Sequence, residues 1–334
     1  MYLCRNNILF FKEFGFETHE VDLKIAFGKG EYAWSNHSSS QLVEQLSSDI
    51  KRFGAALKWV NRLEPIFIFI PIHKMLKMWG FSEDFQNRMV FPLTALFFGT
   101  GNQTPYVSAA VIARVFLDPE LRLFEYSSTK LLDEVPKMFA FPKLGHVFGT
   151  IAKKIPARVL TNARVTSVDR DAGEVKVFSE ALEGGCECFD EIVFACGAEV
   201  ALEALGKGAT AMERRLLGNV QYFNDLIVTH EDEEYMTNQY DFHPSEDMYF
   251  VRCDPEDPKI IEMSFNLTAY QPHLQGKRTI YQSIFLDDFR KKVWTDGLID
   301  KSKVLKTRMT RQFAHTWKHF AYWVPYVRLH FLIN

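Results

Sequence analysis

The stretch that decides the fold is residues 158–205, RVLTNARVTSVDRDAGEVKVFSEALEGGCECFDEIVFACGAEVALEAL. Alternating apolar residues over 164–168 and a β-branched and aromatic run over 175–178, joined by an Asp-Ala-Gly turn, predict two strands. A third strand is predicted over 186–189, directly after two adjacent glycines. The first two thirds of the stretch is therefore expected to be β-structure.

The end of the same stretch is expected to change from strand to helix. Residues 192–196, IVFAC, are an uninterrupted apolar run, which is typical of a strand buried on both faces of a parallel sheet. The run stops at Gly197, where the missing side chain lets another backbone or a ligand come close. Apolar residues over 200–205 then predict a helix, and the start of a helix after a strand favours anionic ligands. An ordinary strand-to-helix connection with nothing bound is equally compatible with these residues.

The combination of the VTSVDR strand, the DEIVFACGA strand and the ALEAL helix resembles the second half of the FAD-binding domain in the flavin-containing amine oxidase superfamily. More narrowly, the chain from about Leu9 to Phe331 is similar to the FAD/NAD-binding, amine-oxidase-like proteins found beside cyclopropane-fatty-acid synthases. The resemblance implies an α/β fold with α+β character. In this fold, part of a Rossmann-like FAD-binding domain is joined to a monoamine-oxidase-like substrate domain of helices and mixed sheet.

The resemblance also implies site residues. It places the backbone of Val165 against the adenine of FAD, and the small residues Ala195, Cys196 and Gly197 near the cofactor. It assigns the substrate side to Phe97, with Leu93, Leu96 and Phe98 beside it in one helix, and to Asn238 and Tyr240 on the floor of the substrate cavity. From the residues themselves, hydrophobic core is the alternative for Phe97 and an ordinary strand end is the alternative for Asn238 and Tyr240. No residue is singled out as catalytic.

The chain departs from the family at both ends of the nucleotide-binding region. The G-x-G-x-x-G fingerprint is absent, because Gly28-x-Gly30 follows a strand but leads into EYAW, which predicts a hairpin turn. The C-terminal flavin motif of the family is also absent. Two hypotheses follow: an FAD-dependent oxidoreductase acting by hydride transfer from an apolar, amine-like or lipid-related substrate, and a truncated, inactive relative that binds a lipid or a protein.

Two local patterns bear on the helices of the first part of the chain. Ser38–Ser40 can cap a helix over 41–63, and Pro71 should break the IFIFIPIHKMLKMW stretch, whose aromatics fit buried packing better than a tunnel lining or a membrane-facing patch. The resemblance and the local patterns together predict four segments in the chain. They are the first part of the substrate domain (1–139), the second half of the FAD-binding domain (140–218), the second part of the substrate-domain sheet (219–300) and a C-terminal helical segment (301–334).

Composition limits the other classes of function. In 334 residues, 47% are hydrophobic and the net charge is -3, which predicts a folded protein and argues against a nucleic-acid partner. The five cysteines contain no C-x-x-C pair, and no metal motif accompanies His315 and His319, so neither a metal site nor a disulfide framework is predicted. Cys186 and Cys188 are expected to be small apolar filler on a strand. No apolar run approaches the roughly 20 residues of a transmembrane helix. A cytoplasmic location is therefore expected, peripheral membrane contact stays compatible with the sequence, and the oligomeric state is open.

Overall fold

A computed structural model describes residues 9–118, 124–140, 143–171, 173–241, 248–254, 257, 260–271, 274, 276, 278–286, 288–317, 319 and 322–323. The chain divides into two compact units. Unit 1 comprises residues 1–147 and 222–320, and unit 2 comprises residues 148–221 and 321–334. The four segments predicted from the sequence, with the functions given to them, stay predictions.

Strands account for much of both units in the described part of the chain. In chain order they are β1 (His19–Asp22), β2 (Ile25–Phe27), β3 (Trp34–Ser35), β4 (Tyr126–Ser127), β5 (Leu131–Leu132), β6 (Lys137–Ala140), β7 (Val165–Asp171), β8 (Glu174–Ser179), β9 (Cys186–Phe189), β10 (Tyr222–His230), β11 (Tyr249–Cys253), β12 (Ile261–Asn266), β13 (Tyr281–Phe285) and β14 (Val304–Phe313).

Helices lie mainly between β3 and β4 and beside the strands of unit 2. They are α1 (Gln41–Gln45), α2 (Ser47–Arg62), α3 (Glu64–Phe67), α4 (Ile72–Met78), a π-helix (Phe85–Val90), α5 (Phe91–Phe98), α6 (Ala109–Leu117), α7 (Leu144–Lys154), α8 (Ala198–Leu205), α9 (Ala211–Leu217) and α10 (Glu233–Gln239). Short 3-10 turns connect several of them, and residues 9–13 are also helical.

Local chemistry explains where the helices of unit 1 begin and end. The Ser40 hydroxyl accepts a hydrogen bond from the Val43 amide at 3.3 Å and caps α1 as predicted. Pro71 lies between α3 and α4 and is the N-cap of α4. Because proline has no backbone N–H, it cannot make the hydrogen bond that would continue α3. Gly99 ends α5 with a φ of 58°, a left-handed conformation that glycine adopts without strain. The helical part is held by a core of phenylalanines in which Phe53 contacts Phe81, Phe85 and Phe116.

The main sheet of unit 1 has seven strands in the order β14-β10-β13-β12-β11-β2-β3. Its neighbours are antiparallel except β11 and β2, which are parallel. The β2-β3 pair confirms the predicted hairpin at Gly28-x-Gly30. Two small sheets, β1-β6 and β4-β5, complete the strand pairing of this unit in its described residues.

Unit 2 contains the predicted strand-turn-strand-strand order. β7, β8 and β9 form an antiparallel three-stranded sheet. α8 packs against β7, and the small apolar core of this unit consists of Val168, Val175, Ala204, Leu205 and Ala209. Thr210 and Glu213 form a reciprocal capping box at the start of α9, in which each side chain accepts from a backbone amide of the other residue. The helix predicted after Gly197 is confirmed as α8.

One predicted strand of unit 2 is absent. Residues 192–196 lie between β9 and α8 without regular secondary structure. Within the described residues they join no sheet, and Val193 is 88% exposed. An apolar run becomes a buried strand only when neighbouring strands supply hydrogen bonds and cover both faces. The three strands of this unit pair with one another instead, so the prediction of a strand buried on both faces is wrong.

Other predictions fail where an isolated sequence window is ambiguous. The strand expected before Gly28 is β2, and the neighbouring β1 belongs to a different sheet. The C-terminal segment expected to be helical contains β14, a mostly exposed edge strand ordered by backbone pairing with β10 rather than by an apolar face. Cys186 and Cys188 are exposed rather than apolar filler, because β9 is the edge of its sheet.

Candidate functional site

Unit 2 contains an open cavity with a volume of about 840 Å³. The cavity is lined by the start of β7, the end of β8, residues 192–196 and one face of α8. The lining residues are Asn162, Arg164, Val165, Thr166, Ser179, Glu180, Ala181, Ile192, Val193, Phe194, Ala195, Cys196, Val200, Glu203 and Ala204. A volume of this size lies within the usual range for small-molecule and cofactor sites.

Three of the four residues predicted to contact a cofactor line this cavity. Val165 is the first residue of β7 and is 40% exposed. Ala195 and Cys196 are exposed residues directly before Gly197. Gly197 follows them as the N-cap of α8. Residues thirty positions apart in the chain are thus brought to one cavity by the packing of β7, β8 and α8.

Residues 192–196 line the cavity with backbone groups and with apolar side chains. Ile192 and Phe194 pack against the unit 2 core, whereas Val193 between them is exposed. No backbone-to-backbone hydrogen bond joins residues 191–196 to another described residue. The amides and carbonyls of this wall are therefore positioned to pair with a ligand that carries its own donors and acceptors.

Polar side chains at the cavity are exposed and only loosely paired. The Arg164 guanidinium lies 3.6 Å from the Glu203 carboxylate, and both side chains are more than two thirds exposed. Such a pair contributes little to stability, so both groups remain available to a ligand. Sequence reasoning missed Glu203, although its spacing of three from Val200 and the adjacent Ala204 place these residues on one face of α8.

The opposite end of β7 is tied down by a different ion pair. Arg170 donates two hydrogen bonds to Glu213, at 2.7 and 2.8 Å. The hydrogen bonds from Arg170, aided by those from Thr210, lower the pKa of Glu213 to about 2. This pair does not line the cavity, and its contacts indicate that it holds α9 to β7.

In unit 1, Asn238 lines a second and smaller cavity of about 280 Å³. Its backbone carbonyl accepts a hydrogen bond from the Lys29 ammonium at 2.5 Å. Charged groups dominate the wall, and one of them, Asp232, accepts from Lys303 at 3.0 Å. Asn238, for which an ordinary strand end was the alternative to a substrate contact, lies in the last turn of α10, a helix capped by the Asp232 carboxylate.

Tyr240 does not share that cavity, because its side chain is buried in the sheet core and is only 2% exposed. Ser264 donates to the Tyr240 hydroxyl at 3.0 Å, and the Ser264 and Ser283 hydroxyls lie 2.6 Å apart. Ser283 in turn lies 2.9 Å from Nε2 of His230. Burial raises the pKa of Tyr240 well above its ordinary value, so the phenol stays protonated.

His230 ends this buried chain of hydrogen bonds as a neutral imidazole. The Asp232 amide donates to Nδ1 at 3.2 Å, which leaves Nε2 as the protonated nitrogen that donates to Ser283. Burial of the ring lowers the pKa of His230 to about 4, although Asp232 nearby acts in the opposite direction.

A buried ion pair lies next to the same network. Arg252 donates to Glu262 Oε2 from Nε at 2.8 Å and from Nη2 at 2.6 Å, and these side chains are 10% and 2% exposed. Thr295 donates to Glu262 through its amide at 2.9 Å and its hydroxyl at 2.8 Å. Every polar group named here has a protein partner, which is the arrangement of a structural network.

Phe97 lies in an aromatic cluster of the helical part of unit 1. Its ring centroid is 5.6 Å from that of Phe124 and 6.3 Å from that of Phe116. Leu93 in the same helix is core, at 2% exposure. Neither Phe97 nor Tyr240 lines the cavity at Asn238, so the structure does not gather the predicted substrate residues into that cavity.

Within the described residues, no group of three or more His, Cys, Asp or Glu side chains is arranged to hold a metal ion. Over the same residues, no helix has the length and apolar character needed to cross a bilayer.

Scans of the sequence against protein-family models and against curated proteins find no match. Solved structures do match. A conjugated-linoleic-acid (CLA)-producing fatty acid isomerase from P. acnes aligns with a TM-score of 0.58 and 12% identity over 95% of this chain and 75% of that chain. A cyclohexylamine oxidase from Brevibacterium oxydans IH-35A aligns with a TM-score of 0.55 and 11% identity over 92% of this chain and 70% of that chain.

A triple mutant of putrescine oxidase aligns with a TM-score of 0.55 and 10% identity, and here 86% of this chain spans 63% of that chain. At such identities the likeness establishes a shared fold. The mixed α/β architecture expected from the resemblance to amine oxidases is thereby confirmed at the level of the fold.

Proposed function

We propose that the chain belongs to an FAD-dependent oxidoreductase of the amine oxidase type, in which unit 2 binds the adenosine part of the cofactor. The observation that carries the proposal is the convergence of Val165, Ala195 and Cys196 on one open cavity of about 840 Å³. The family resemblance implies these residues independently of the cavity that they line.

The shape and chemistry of the cavity fit an adenine nucleoside. The wall formed by Val165, Val193 and Ala195 is apolar and exposed, which suits the faces of a planar heterocycle. The backbone of 191–196, which pairs with no other described strand, suits the hydrogen-bonding edge of that heterocycle. Both requirements are met by backbone and small residues, so the identity of most side chains matters little.

Polar groups at the rim fit the sugar and phosphate. The Glu203 carboxylate can accept hydrogen bonds from ribose hydroxyls, and the neighbouring Arg164 guanidinium can bind a phosphate oxygen. The first turn of α8, directly after Gly197, already holds the Glu199 carboxylate, so the phosphate contact is assigned to Arg164 and not to the helix N-terminus.

The bound flavin would supply the redox chemistry by accepting a hydride from the substrate. The residues of this chain bind and orient the cofactor and exclude water around it. For the substrate we propose an apolar or amine-like molecule, in line with the fatty acid isomerase and the two amine oxidases that share the fold. Phe97, Asn238 and Tyr240 stay proposed substrate-side residues without an assigned role.

The experiment is reconstitution of the purified chain with FAD. We expect saturable binding, seen as quenching of flavin fluorescence and as the two visible flavin absorbance bands in the protein fraction after gel filtration. Anaerobic addition of monoamines, diamines or unsaturated fatty acids should then bleach the bands with one of these classes. A protein that stays colourless at saturating FAD contradicts the proposal and favours the alternative of an inactive binding module.

A further inference from the structure

A second exposed apolar surface lies on the helices of unit 1. We call it the helical patch and define it by five side chains: Trp59, Leu63, Ile66, Phe69 and Met78. These side chains are between 38% and 60% exposed. Single exposed apolar residues are ordinary, but a contiguous group of large ones marks an interaction site.

The backbone shows that the patch is contiguous. The Leu63 amide donates to the Trp59 carbonyl at 3.0 Å and the Ile66 amide donates to the Leu63 carbonyl at 2.9 Å, so helical turns continue across the junction of α2 and α3. At about 1.5 Å per residue, the side chains from Trp59 to Phe69 span roughly 15 Å. Met78 belongs to the same area because its neighbour Trp79 packs its ring 5.4 Å from that of Phe67.

The exposure does not come from a loosely packed helix. On the other face of α2, Phe53, Leu57 and Val60 are fully buried. Phe67, between Ile66 and Phe69, is buried as well. The outward face of α2 is otherwise polar, with Lys51, Lys58 and Arg62 near Trp59, so the patch is an apolar surface set among cations.

Positive charge surrounds the patch. Residues 47–79 contain six Lys and Arg against only Asp49 and Glu64, although the whole chain has a net charge of -3. Both acids are neutralised by arginines, Asp49 by Arg52 at 3.0 Å and Glu64 by Arg114 at 2.5 Å.

Three lysines in this segment have exposed ammonium groups. Lys58, Lys74 and Lys77 are exposed and form no ion pair with a described carboxylate. They flank the apolar side chains, since Lys58 adjoins Trp59 and Lys77 adjoins Met78. The local charge is thus opposite in sign to that of the protein as a whole.

We propose that the helical patch docks the protein on a membrane surface that carries anionic lipids. Trp59, Ile66 and Phe69 would enter the boundary between headgroups and acyl chains, and the lysines would contact phosphate groups. An apolar face rimmed by lysine is the pattern of interfacial membrane helices. The three lysines of the rim favour an anionic surface over a neutral partner.

The proposal is tested by co-sedimentation of the full chain with phosphatidylcholine vesicles, prepared with and without phosphatidylglycerol. We expect binding to the anionic vesicles, weakened by added salt, and little binding to the neutral ones. Because each lysine near such a surface contributes about a fivefold factor, the triple variant Lys58→Gln/Lys74→Gln/Lys77→Gln should bind roughly a hundredfold more weakly. The double variant Ile66→Ser/Phe69→Ser should lose at least about tenfold.

Matched controls keep the test specific. Phe289→Ser removes a phenylalanine that is 83% exposed elsewhere in unit 1, and Lys207→Gln/Lys301→Gln/Lys306→Gln removes three exposed lysines outside the patch. Both controls should bind vesicles like the wild type. The proposal is overturned if the patch variants bind as well as the controls, if neutral vesicles bind equally, or if the chain is a dimer that only Ile66→Ser/Phe69→Ser dissociates. Circular dichroism of each variant checks that it is folded.

Discussion

The sheet core of unit 1 buries polar side chains, and the cavity of unit 2 leaves apolar ones exposed. In unit 1, His230, Ser264 and Glu262 are almost inaccessible, yet each is hydrogen-bonded within the sheet core. In unit 2, Val165 and Val193 face an open cavity without a described neighbour to cover them. A buried polar group whose hydrogen bonds are all made within the protein has none left for a ligand. An exposed apolar surface, in contrast, is stabilised when a ligand removes it from water. The comparison assigns stability to the first region and ligand binding to the second.

The largest effect is expected when one ion pair is removed from each unit. Glu262→Ala leaves the buried Arg252 charge without its partner, and we expect a loss of about 3–5 kcal/mol in the free energy of unfolding. The exposed pair in unit 2 serves as the control: Glu213→Ala removes a surface ion pair and a helix cap and should cost about 1–2 kcal/mol. Urea denaturation measures both, and equal losses would contradict the structural role of the unit 1 network.

The next largest effect concerns pH and the buried His230. Its pKa is about 4 in the folded protein against 6.5 for an exposed histidine, so the unfolded chain takes up the proton first as the pH falls. The stabilisation is complete above about pH 6.5 and is lost progressively towards pH 4, by about 3 kcal/mol. Unfolding free energies of the wild type and of His230→Gln between these pH values test this. The variant should depend less on pH, and parallel curves would show that His230 is not buried neutral.

A smaller effect is expected at the two residues proposed for the substrate side. Tyr240→Phe removes the acceptor of the Ser264 hydroxyl in the core and should destabilise unit 1 by about 1–2 kcal/mol. Asn238→Ala, at an exposed position of α10, should change stability by less than about 0.5 kcal/mol. If Tyr240→Phe left stability unchanged but altered substrate turnover in the reconstituted protein, Tyr240 would be a substrate residue rather than part of the buried network.

The smallest effect is predicted at Val193. Because its side chain is almost fully exposed, Val193→Ser should change the unfolding free energy by less than about 0.5 kcal/mol. The same substitution in a strand buried on both faces would cost several times more. A large loss in thermal or urea denaturation would therefore show that residues 192–196 are covered in solution.

Sequence reasoning succeeded where structure is local. The order β7, β8, β9 and α8 lies within fewer than fifty consecutive residues, and turn chemistry and apolar spacing determine it. The choice of Val165, Ala195 and Cys196 came from the family resemblance, and the cavity that they line lies within the same local stretch. The residues predicted for the backbone contacts needed no knowledge of side chains from distant segments.

Sequence reasoning failed where distant segments decide the outcome. β14 is ordered by pairing with β10, about eighty residues earlier, and its own alternation is too polar to indicate a strand. The burial of Tyr240 depends on Ser264 and Ser283 from two other strands. The helical patch was expected to be buried packing, because an apolar pattern by itself does not indicate which of its residues the core covers.

FAD titrations of three proteins, followed by flavin fluorescence, test the assignment of the unit 2 cavity to the cofactor. Ala195→Trp places a large side chain on the exposed wall of the unit 2 cavity, and Ala157→Trp places the same side chain at an exposed alanine outside it. We predict that the wild type and Ala157→Trp bind FAD alike, and that Ala195→Trp binds at least about a hundredfold more weakly, a loss of roughly 2.7 kcal/mol. Equal FAD affinity of Ala195→Trp and the wild type, or no binding by the wild type, would contradict the assignment of this cavity to the cofactor.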